Sequence, residues 1–333
     1  MNVWVSRDPG GPDTLVLEQW PVPSPKDDEL LVRVQAVGVN FPDSLLIRDL
    51  YQVKPPRPLV PGSEFCGVIQ SLGARVTQFK VGDVVIGRCG WGAMAQYLTL
   101  SQDRCVKIPA DMPRAEAAAF QFAYATAYHA LHDAAQLRAN ETLLVLGAAG
   151  GVGAAAVEVG RALGARVMAA ASSPAKLAFA TARGAHDGLV YDADLQPGEG
   201  QKALAGELKK RLPDGADVVF DPVGGAYTEP ALRNLAREGR HLVVGFTAGI
   251  PRVPLNLTLL KRSHIIGVDW RMFIQEAPAA NLNNVQALLD MWQRGLLQPR
   301  VTERYAFAAA PEAIARLESR AALGKIVVTM DES

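Results

Sequence analysis

Cysteine is scarce in this sequence, and neither sign of charge predominates. The 333 residues include three cysteines, Cys66, Cys89 and Cys105. An odd number with no short pair spacing argues against a disulfide framework. Basic and acidic side chains number 34 each, so the formal net charge is zero. The sequence therefore predicts no electrostatic surface for nucleic acid or for an anionic membrane.

Long apolar runs are also missing, and the first residues are not expected to form a signal peptide. No run approaches the roughly 18 apolar residues that a membrane-spanning helix requires. The N-terminus, Met1-Asn2-Val3-Trp4-Val5-Ser6-Arg7, lacks the basic-then-apolar layout of a signal peptide. We therefore expect a reduced, cytoplasmic protein without a membrane partner.

What is present favours two domains of different composition. A chain of this length exceeds the size at which one hydrophobic core usually stops growing. The N-terminal third is rich in β-branched residues, glycine and proline, and the run from Leu30 to Val39 is typical of a buried strand. From Arg114 to Ala135, alanine and aromatic residues recur at helical spacing behind Pro113.

Beyond Glu141 the pattern changes to short apolar runs that alternate with helical stretches. Continuous apolar strands separated by helices are typical of a parallel sheet covered on both faces, a doubly wound α/β fold. The last 60 or so residues are too short for an independent domain, and we expect them to return to the N-terminal one. The predicted strands are 143–146, 166–170, 188–191, 217–220, 241–244 and 265–268, and the clearest helices are 154–163, 174–183 and 201–212.

A glycine-rich turn, Ala148-Ala149-Gly150-Gly151-Val152-Gly153, follows the first of these strands and opens a helix. That context is the one in which such a turn binds the pyrophosphate of a dinucleotide. Gly150 would let the backbone approach the phosphates, and Gly153 would let helix and strand pack closely. Ala148 replaces the first glycine of the usual motif. The alternative is an ordinary tight turn whose glycines serve geometry alone.

The end of the second strand favours NADPH over NADH. An NAD site offers a carboxylate to the ribose there, but Ala171-Ser172-Ser173-Pro174-Ala175-Lys176 contains none. Two hydroxyls and an ammonium would instead hold a 2′-phosphate. The alternative is that a serine caps the next helix and Lys176 is solvated.

Six segments distributed along the chain carry a family resemblance: Val37–Asp43, Pro61–Val68, Val81–Val85, Ala148–Gly153, Asp221–Gly225 and Gly324–Val327. They resemble the medium-chain dehydrogenase/reductase superfamily, and within it the zinc-free NADPH:quinone oxidoreductases of the zeta-crystallin type. The resemblance spans nearly the whole chain.

This resemblance implies a GroES-like β-rich catalytic domain at 1–119, a Rossmann NADPH-binding domain at 120–270 and a C-terminal segment, 271–333, that completes the first. It places the active site in the cleft between the two domains. The cofactor-binding residues that it implies are Thr126, Ala149, Gly150, Gly151, Val152, Ser172, Lys176, Tyr191, Gly245, Phe246 and Arg320.

The same comparison predicts no metal. Zinc-dependent relatives use a cysteine and a histidine followed by glutamate, whereas this chain has Asn40-Phe41-Pro42-Asp43 and places Ser63 before Glu64. No histidine precedes His129, and a four-coordinate zinc favours sulfur or imidazole ligands. Without a Lewis acid, the chemistry left is hydride transfer to an acceptor that needs little activation.

On the substrate side the resemblance implies Asn40 and Tyr51 as catalytic residues. Asn40 would donate a hydrogen bond to a carbonyl oxygen that gains charge, although a loop asparagine that satisfies its own backbone is an equal alternative. Tyr51 would donate a hydrogen bond or a proton. Leu45 replaces a second family tyrosine. Trp91 and Tyr124 are candidates for the wall of the pocket, and for each of them packing in the core is the favoured alternative. Cys89 is not expected to be a nucleophile.

The sequence thus predicts an NADPH-dependent reductase of quinones or other activated alkenes. An enoyl-thioester reductase and a non-catalytic NADPH-binding or sensing protein are the alternatives. The apolar sixth strand would be an exposed sheet edge in a monomer, so we also expect a homodimer, as in the family.

Overall fold

The computed structural model describes residues 1–319 and 321–330, which form an α/β protein. The strands are β1 (Asn2–Val5), β2 (Val16–Gln19), β3 (Glu29–Val39), β4 (Glu64–Leu72), β5 (Val84–Arg88), β6 (Tyr97–Ser101), β7 (Cys105–Lys107), β8 (Thr142–Leu146), β9 (Arg166–Ala171), β10 (Asp187–Val190), β11 (Ala216–Asp221), β12 (Leu235–Val243), β13 (His264–Gly267), β14 (Val301–Ala306) and β15 (Lys325–Thr329). The α-helices are α1 (Phe41–Ile47), α2 (Arg114–Ala118), α3 (Gln121–Tyr128), α4 (Gly151–Ala162), α5 (Pro174–Thr181), α6 (Glu199–Arg211), α7 (Thr228–Arg233), α8 (Asn256–Lys261), α9 (Trp270–Glu276), α10 (Pro278–Gln293) and α11 (Ala310–Glu318).

The chain divides into two compact units. Unit 1 comprises Met1–Phe122 together with the described residues from Pro299 onward, and unit 2 comprises Ala123–Gln298. The first boundary lies three residues beyond the expected 119/120. The second differs more from the expected 270/271, because α9 and α10 pack within unit 2. There Trp270 donates to Asn281 (3.0 Å), Asn284 donates to Asp133 (2.7 Å), and Phe273 stacks on His129.

Unit 1 is built on a mostly antiparallel sheet in the order β14-β15-β3-β4-β5-β7, with β6 also paired to β3. The C-terminal strand β15 pairs antiparallel with β3 in the register Ile326↔Val39 to Thr329↔Ala36. The last strand of the chain therefore belongs to the sheet of unit 1. Long β3 alternates inward and outward side chains until its last residues, which are buried on both faces.

Unit 2 contains a six-stranded parallel sheet in the order β10-β9-β8-β11-β12-β13. All six of its strands were predicted, within a residue at most ends. The central strands are continuous apolar runs because helices cover both faces. Strand order reverses between β8 and β11. In sheets of this type ligands bind at the carboxyl ends of the strands that flank such a reversal, and here these strands are β8 and β11.

The predicted helix at 114–135 is broken in the structure. Helix α2 ends at Ala118, α3 begins at Gln121, and a π-helical segment covers His129–Ala134. The backbone amide of Phe122 donates to the buried carboxylate of Glu64 (2.8 Å) instead of to a helical carbonyl. Helical spacing of apolar residues could not reveal this tertiary hydrogen bond. Among the described residues, no helix is long and apolar enough to cross a membrane.

Candidate active site

The glycine-rich turn leaves the carboxyl end of β8 and begins α4. Gly147 has a φ of +59°, a left-handed conformation that glycine adopts without strain. The residue that needs this freedom is therefore Gly147, one position before the Ala148 at which the motif departs from the usual pattern. Gly150 is the N-cap residue of α4, with extended backbone angles.

Two other glycines of the turn have different reasons to be glycine. A Cβ on Gly153 would clash with the carbonyl oxygen of Gly147, which confirms the predicted close packing of helix and strand. A Cβ on Gly150 would meet only that same oxygen, at an ordinary 3.5 Å. The fold itself therefore does not require glycine at position 150.

The start of α4 is a site for an anion. The first N–H groups of an α-helix have no intrahelical acceptor, and here they belong to Gly151, Val152 and Gly153. The helix dipole adds positive potential at the same point. Because this turn also lies at the strand-order reversal, the arrangement suits a pyrophosphate.

At the end of β9 the structure brings Ser172 and Lys176 together. The Lys176 ammonium donates to the Ser172 hydroxyl (2.9 Å), and Ser173 caps α5 by accepting from the Lys176 amide (3.2 Å). Ser173 thus caps the helix, whereas Ser172 is the serine that, with Lys176, is a candidate to bind a phosphate. Partial burial lowers the pKa of Lys176, which reflects an environment where a negative partner would be favourable.

The remaining predicted cofactor residues lie in unit 2, apart from Arg320, which lies outside the described residues. Tyr191 follows β10 and is buried against the ring of Tyr227, whose centroid is 4.8 Å away. Burial raises the pKa of Tyr191, although the Gly147 amide opposes the shift. Thr126 is buried in α3. Gly245 and Phe246 follow β12, and Phe246 is exposed.

In unit 1, Asn40 lies inside a buried polar cluster that the sequence did not predict. Its amide nitrogen is within hydrogen-bonding distance of Glu64 Oε1 (2.9 Å), Ser63 Oγ (3.3 Å) and the Gly38 carbonyl (3.3 Å). Its amide oxygen accepts from the Lys325 ammonium (2.5 Å). Both hydrogens of the amide thus have acceptors within the protein, so the geometry shown here fixes the side chain firmly.

The charges of this cluster balance within unit 1. Lys325 pairs with Glu64 at 2.8 Å, and both side chains are buried. Asp43 accepts from the Asn40 backbone amide (2.8 Å) in the first turn of α1. Burial raises the pKa of Asp43 to about 7, although that amide and the charge of Lys325 oppose the shift. In the sequence, the one sign of a role for Lys325 was its place in Gly324–Val327, a segment that carries the family resemblance.

The other residues predicted on the substrate side differ in how deeply they are buried. Tyr51 lies half-buried in the loop after α1. Tyr124 is buried and donates to Glu158 (2.8 Å), as expected for a core residue. Trp91 is 41% exposed, so the expectation that it packs in the core is wrong; it lies in a glycine-flanked loop. Burial raises the pKa of the Cys89 thiol to about 12, which does not favour a nucleophilic thiolate.

No group of three or more His, Cys, Asp or Glu side chains within residues 1–319 and 321–330 is arranged to hold a metal ion.

Comparison with known proteins places these features in a family. The alcohol dehydrogenase GroES-like domain matches residues 26–110, and the zinc-binding dehydrogenase family matches residues 151–286. Quinone oxidoreductase-like protein 2 of Rattus norvegicus is 35% identical over 91% of this chain and 85% of its own length. Human quinone oxidoreductase is 30% identical over 96% and 95%. The chain belongs to the quinone oxidoreductase family of the medium-chain dehydrogenase/reductases.

Solved structures of similar proteins agree with this membership. The quinone oxidoreductase of Thermus thermophilus, solved alone and in complex with NADPH, is 32% identical, with a TM-score of 0.85 over 99% of this chain and 100% of that one. The CurK enoyl reductase is 27% identical, with a TM-score of 0.88 over 99% of each chain. Membership of the quinone oxidoreductase family confirms the predicted fold class, a GroES-like β-rich domain with a Rossmann parallel-sheet domain.

Proposed function

We propose that this member of the quinone oxidoreductase family is a zinc-independent reductase that uses NADPH to reduce a quinone or another α,β-unsaturated carbonyl compound. The observation that carries the proposal is the pairing of Lys176 with Ser172 at the end of β9, beside a glycine-rich turn that suits a pyrophosphate. Together these features match the 2′-phosphate and the pyrophosphate of NADPH.

NADPH fits the residues of unit 2 better than NADH does. The end of β9 presents Ser172, Ser173 and Lys176, and no carboxylate stands there to bind ribose hydroxyls or to repel a 2′-phosphate. The Thermus relative, similar over nearly its whole length, binds NADPH. We assign Gly150, Gly151 and Val152 to the pyrophosphate. Tyr191, Thr126, Gly245, Phe246 and Arg320 stay proposed cofactor contacts on the strength of the resemblance.

Zinc independence is supported by the chemistry of the available side chains. The positions of the zinc ligands in zinc-dependent relatives hold Asn40 and Ser63, which offer neither thiolate nor imidazole. The glutamate that follows, Glu64, is already paired with the Lys325 ammonium. A divalent cation here would stand beside that positive charge, so these residues do not fit a zinc ion.

The proposed reaction needs little from the protein beyond positioning. When bound, NADPH would supply a hydride to the electron-poor conjugated system of the acceptor, and a proton from Tyr51 or solvent would complete the reduction without a Lewis acid. We assign Tyr51 to hydrogen bonding or proton donation at the developing oxyanion. We assign Asn40 to hydrogen bonding with the carbonyl oxygen of the acceptor. Because its two amide hydrogens already face Glu64, Ser63 and Gly38, direct donation to substrate would require it to release one of them.

An enoyl-thioester reductase is the second candidate. The similarity of the chain to the CurK enoyl reductase, over 99% of both, favours it. The hydride chemistry is the same, since an enoyl thioester is also an α,β-unsaturated carbonyl. The two candidates differ only in the acceptor.

Purified protein should be mixed with NADPH and a panel of simple quinones, enones and enoyl thioesters, with and without a chelator. We expect NADPH oxidation with quinones or enones and no effect of the chelator. Turnover with enoyl thioesters alone would select the second candidate. NADPH binding without turnover on any acceptor would overturn both and favour a non-catalytic, NADPH-sensing protein. Loss of activity on chelation would overturn zinc independence.

A further inference from the structure

A buried carboxylate, Asp221, ends β11 at the strand-order reversal of unit 2. Its Oδ1 accepts hydrogen bonds from the backbone amides of Val223 (2.9 Å) and Gly224 (2.8 Å). Its Oδ2 accepts from the Thr228 hydroxyl (2.6 Å) and contacts His241 Nε2 (3.1 Å). Asp221, Thr228 and His241 are nearly inaccessible to solvent.

This carboxylate is held ionised in the protein interior. Burial raises its pKa, but the His241 hydrogen bond and charge, the Gly224 amide and Thr228 together hold the pKa below its usual range. A hydrogen bond to Asp221 requires the proton of His241 on Nε2. The other ring nitrogen, Nδ1, is buried without a hydrogen-bond partner. Burying a charge and an unpaired nitrogen costs free energy. A turn without a further role could avoid this cost by having asparagine or serine at position 221.

The turn that Asp221 holds, residues 222–225, touches the glycine-rich turn. A Cβ placed on Gly147 would lie 2.8 Å from Val223 Cγ2, so the two turns are in close contact. Gly224 and Gly225 both have positive φ, and at this geometry Asp221 satisfies the amides of Val223 and Gly224.

The same turn also supports the segment after β12. The Ala248 amide donates to the Val223 carbonyl (2.7 Å), and the Gly225 amide donates to the Gly249 carbonyl (2.7 Å). The Val244 amide donates to the Asp221 carbonyl (2.9 Å). Residues 244–249, which include Gly245 and Phe246, are thus fixed to the turn that Asp221 organises.

The topology gives this arrangement a function. In a doubly wound sheet each half receives one mononucleotide, and the phosphates cross at the reversal. Lys176 and Ser172, the 2′-phosphate candidates, lie on the β8-β9-β10 half. Residues 221–225 and 244–249 lie at the carboxyl ends of β11 and β12 on the other half, where the nicotinamide mononucleotide would bind.

We propose that Asp221, through its buried contacts with His241 and Thr228, is a positioning residue for the nicotinamide half of NADPH. It fixes the 222–225 turn between Gly147 and residues 244–249. The inference rests on the proposed NADPH-dependent function and adds a residue to it that does not itself touch the reacting atoms.

Thr228→Val tests this because it removes one hydrogen bond to Asp221 without changing side-chain shape. Affinities for NADPH and for 2′,5′-ADP, which lacks the nicotinamide half, should be measured on the wild type, Thr228→Val and Thr228→Ser. We expect Thr228→Val to weaken NADPH binding about tenfold while leaving 2′,5′-ADP binding unchanged. Thr228→Ser, which keeps the hydroxyl, should bind both as the wild type does.

Asn234→Ala is the matched control. Asn234 is also buried in unit 2, and it donates to the carbonyls of Ala205 (3.0 Å) and Pro230 (2.9 Å) away from the turn. Its loss should lower the melting temperature without changing the ratio of the two affinities. Unchanged NADPH binding by Thr228→Val, or an equal loss for both ligands, would overturn the inference alone. A wild type that binds no NADPH would overturn the proposed function and the inference with it.

Discussion

Among residues 1–319 and 321–330, buried charge lies in small clusters in which each ionised group has a partner. Burying an isolated charge is costly, whereas a paired and hydrogen-bonded one is tolerated. In unit 2 Arg183 donates to Glu158, which also accepts from Tyr124 and from the Gln298 amide (2.8 Å). The other two clusters are Asn40–Glu64–Lys325 in unit 1 and Asp221–His241–Thr228 in unit 2.

Lys176 tests the cofactor preference at the scale of one side chain. Lys176→Met keeps the apolar stem and removes the charge, so we expect the dissociation constant for NADPH to rise about tenfold or more. Binding of NADH, which has no 2′-phosphate, should change little. Equilibrium binding measures both. Lys202→Met, at an exposed position of α6, is the control, and an equal loss for both cofactors in Lys176→Met would contradict the assignment.

Asp43 should make stability depend on pH. Its pKa is raised by burial from 3.8 to about 7 in the fold, so between these values the native state binds a proton that the unfolded chain has lost. The free energy of unfolding should therefore fall as pH rises through this range and level off above it. Lys325 and Glu64 face the same group, and their charges are part of its surroundings.

Urea unfolding from about pH 4 to about pH 8 measures this effect. Asp43→Asn cannot titrate, so its free energy of unfolding should lack the decline that the wild type shows. Parallel pH profiles for the two proteins would show that Asp43 is not the group responsible.

At the scale of elements, the turn between β8 and α4 contains two glycines that the fold requires and one that it does not require. Gly147 needs its left-handed backbone, and Gly153 needs to lack a side chain because the Gly147 carbonyl is so close. Gly150 has a φ of −76° and room for a methyl group, so the protein alone places no demand on it.

Gly150→Ala and Gly153→Ala should therefore affect different properties, NADPH binding in the first case and the stability of the fold in the second. Gly153→Ala should destabilise the fold by about 1–3 kcal/mol, since the added methyl overpacks the turn. Gly150→Ala should leave the free energy of unfolding nearly unchanged yet weaken NADPH binding, because its methyl would occupy space next to the pyrophosphate. Denaturant unfolding and NADPH titration of both variants measure this. Normal NADPH affinity in Gly150→Ala would remove Gly150 from the phosphate site.

At the scale of the whole molecule, one sheet edge of unit 2 carries an apolar strand. Strand β13 ends the six-stranded order, as predicted, and its Ile265 is 39% exposed. Leu259 and Leu260 of α8, just before the strand, are even more exposed. Exposed apolar edges favour pairing with another chain. We propose that β13 pairs with its copy in a second chain to form a homodimer.

Ile265→Lys should disrupt this dimer, because a charged side chain on an edge strand opposes pairing with another strand. Light scattering coupled to size-exclusion chromatography should then give a dimer mass for the wild type and a monomer mass for the variant. Leu17→Lys, at an exposed apolar position of β2 in unit 1, should stay dimeric. A monomeric wild type would contradict the proposal.

The sequence by itself determined the parallel sheet, the turn that follows β8 and the edge strand. Each of these depends on local patterns: apolar runs of strand length, glycines at a strand–helix junction, and hydroxyls with a lysine after β9. The close approach at Gly153 was also predictable, because glycine at that spacing has a known packing role.

Tertiary structure alone decided the polar clusters and the unit boundaries. Glu64 and Lys325 are 261 residues apart and meet only because β15 pairs with β3 beside β4. Asp221 and His241 meet because β11 and β12 are neighbours in register. Helices α9 and α10 belong to unit 2 through contacts with the π-helical segment. Such contacts depend on which strands and helices become neighbours, and a local pattern carries no information about that.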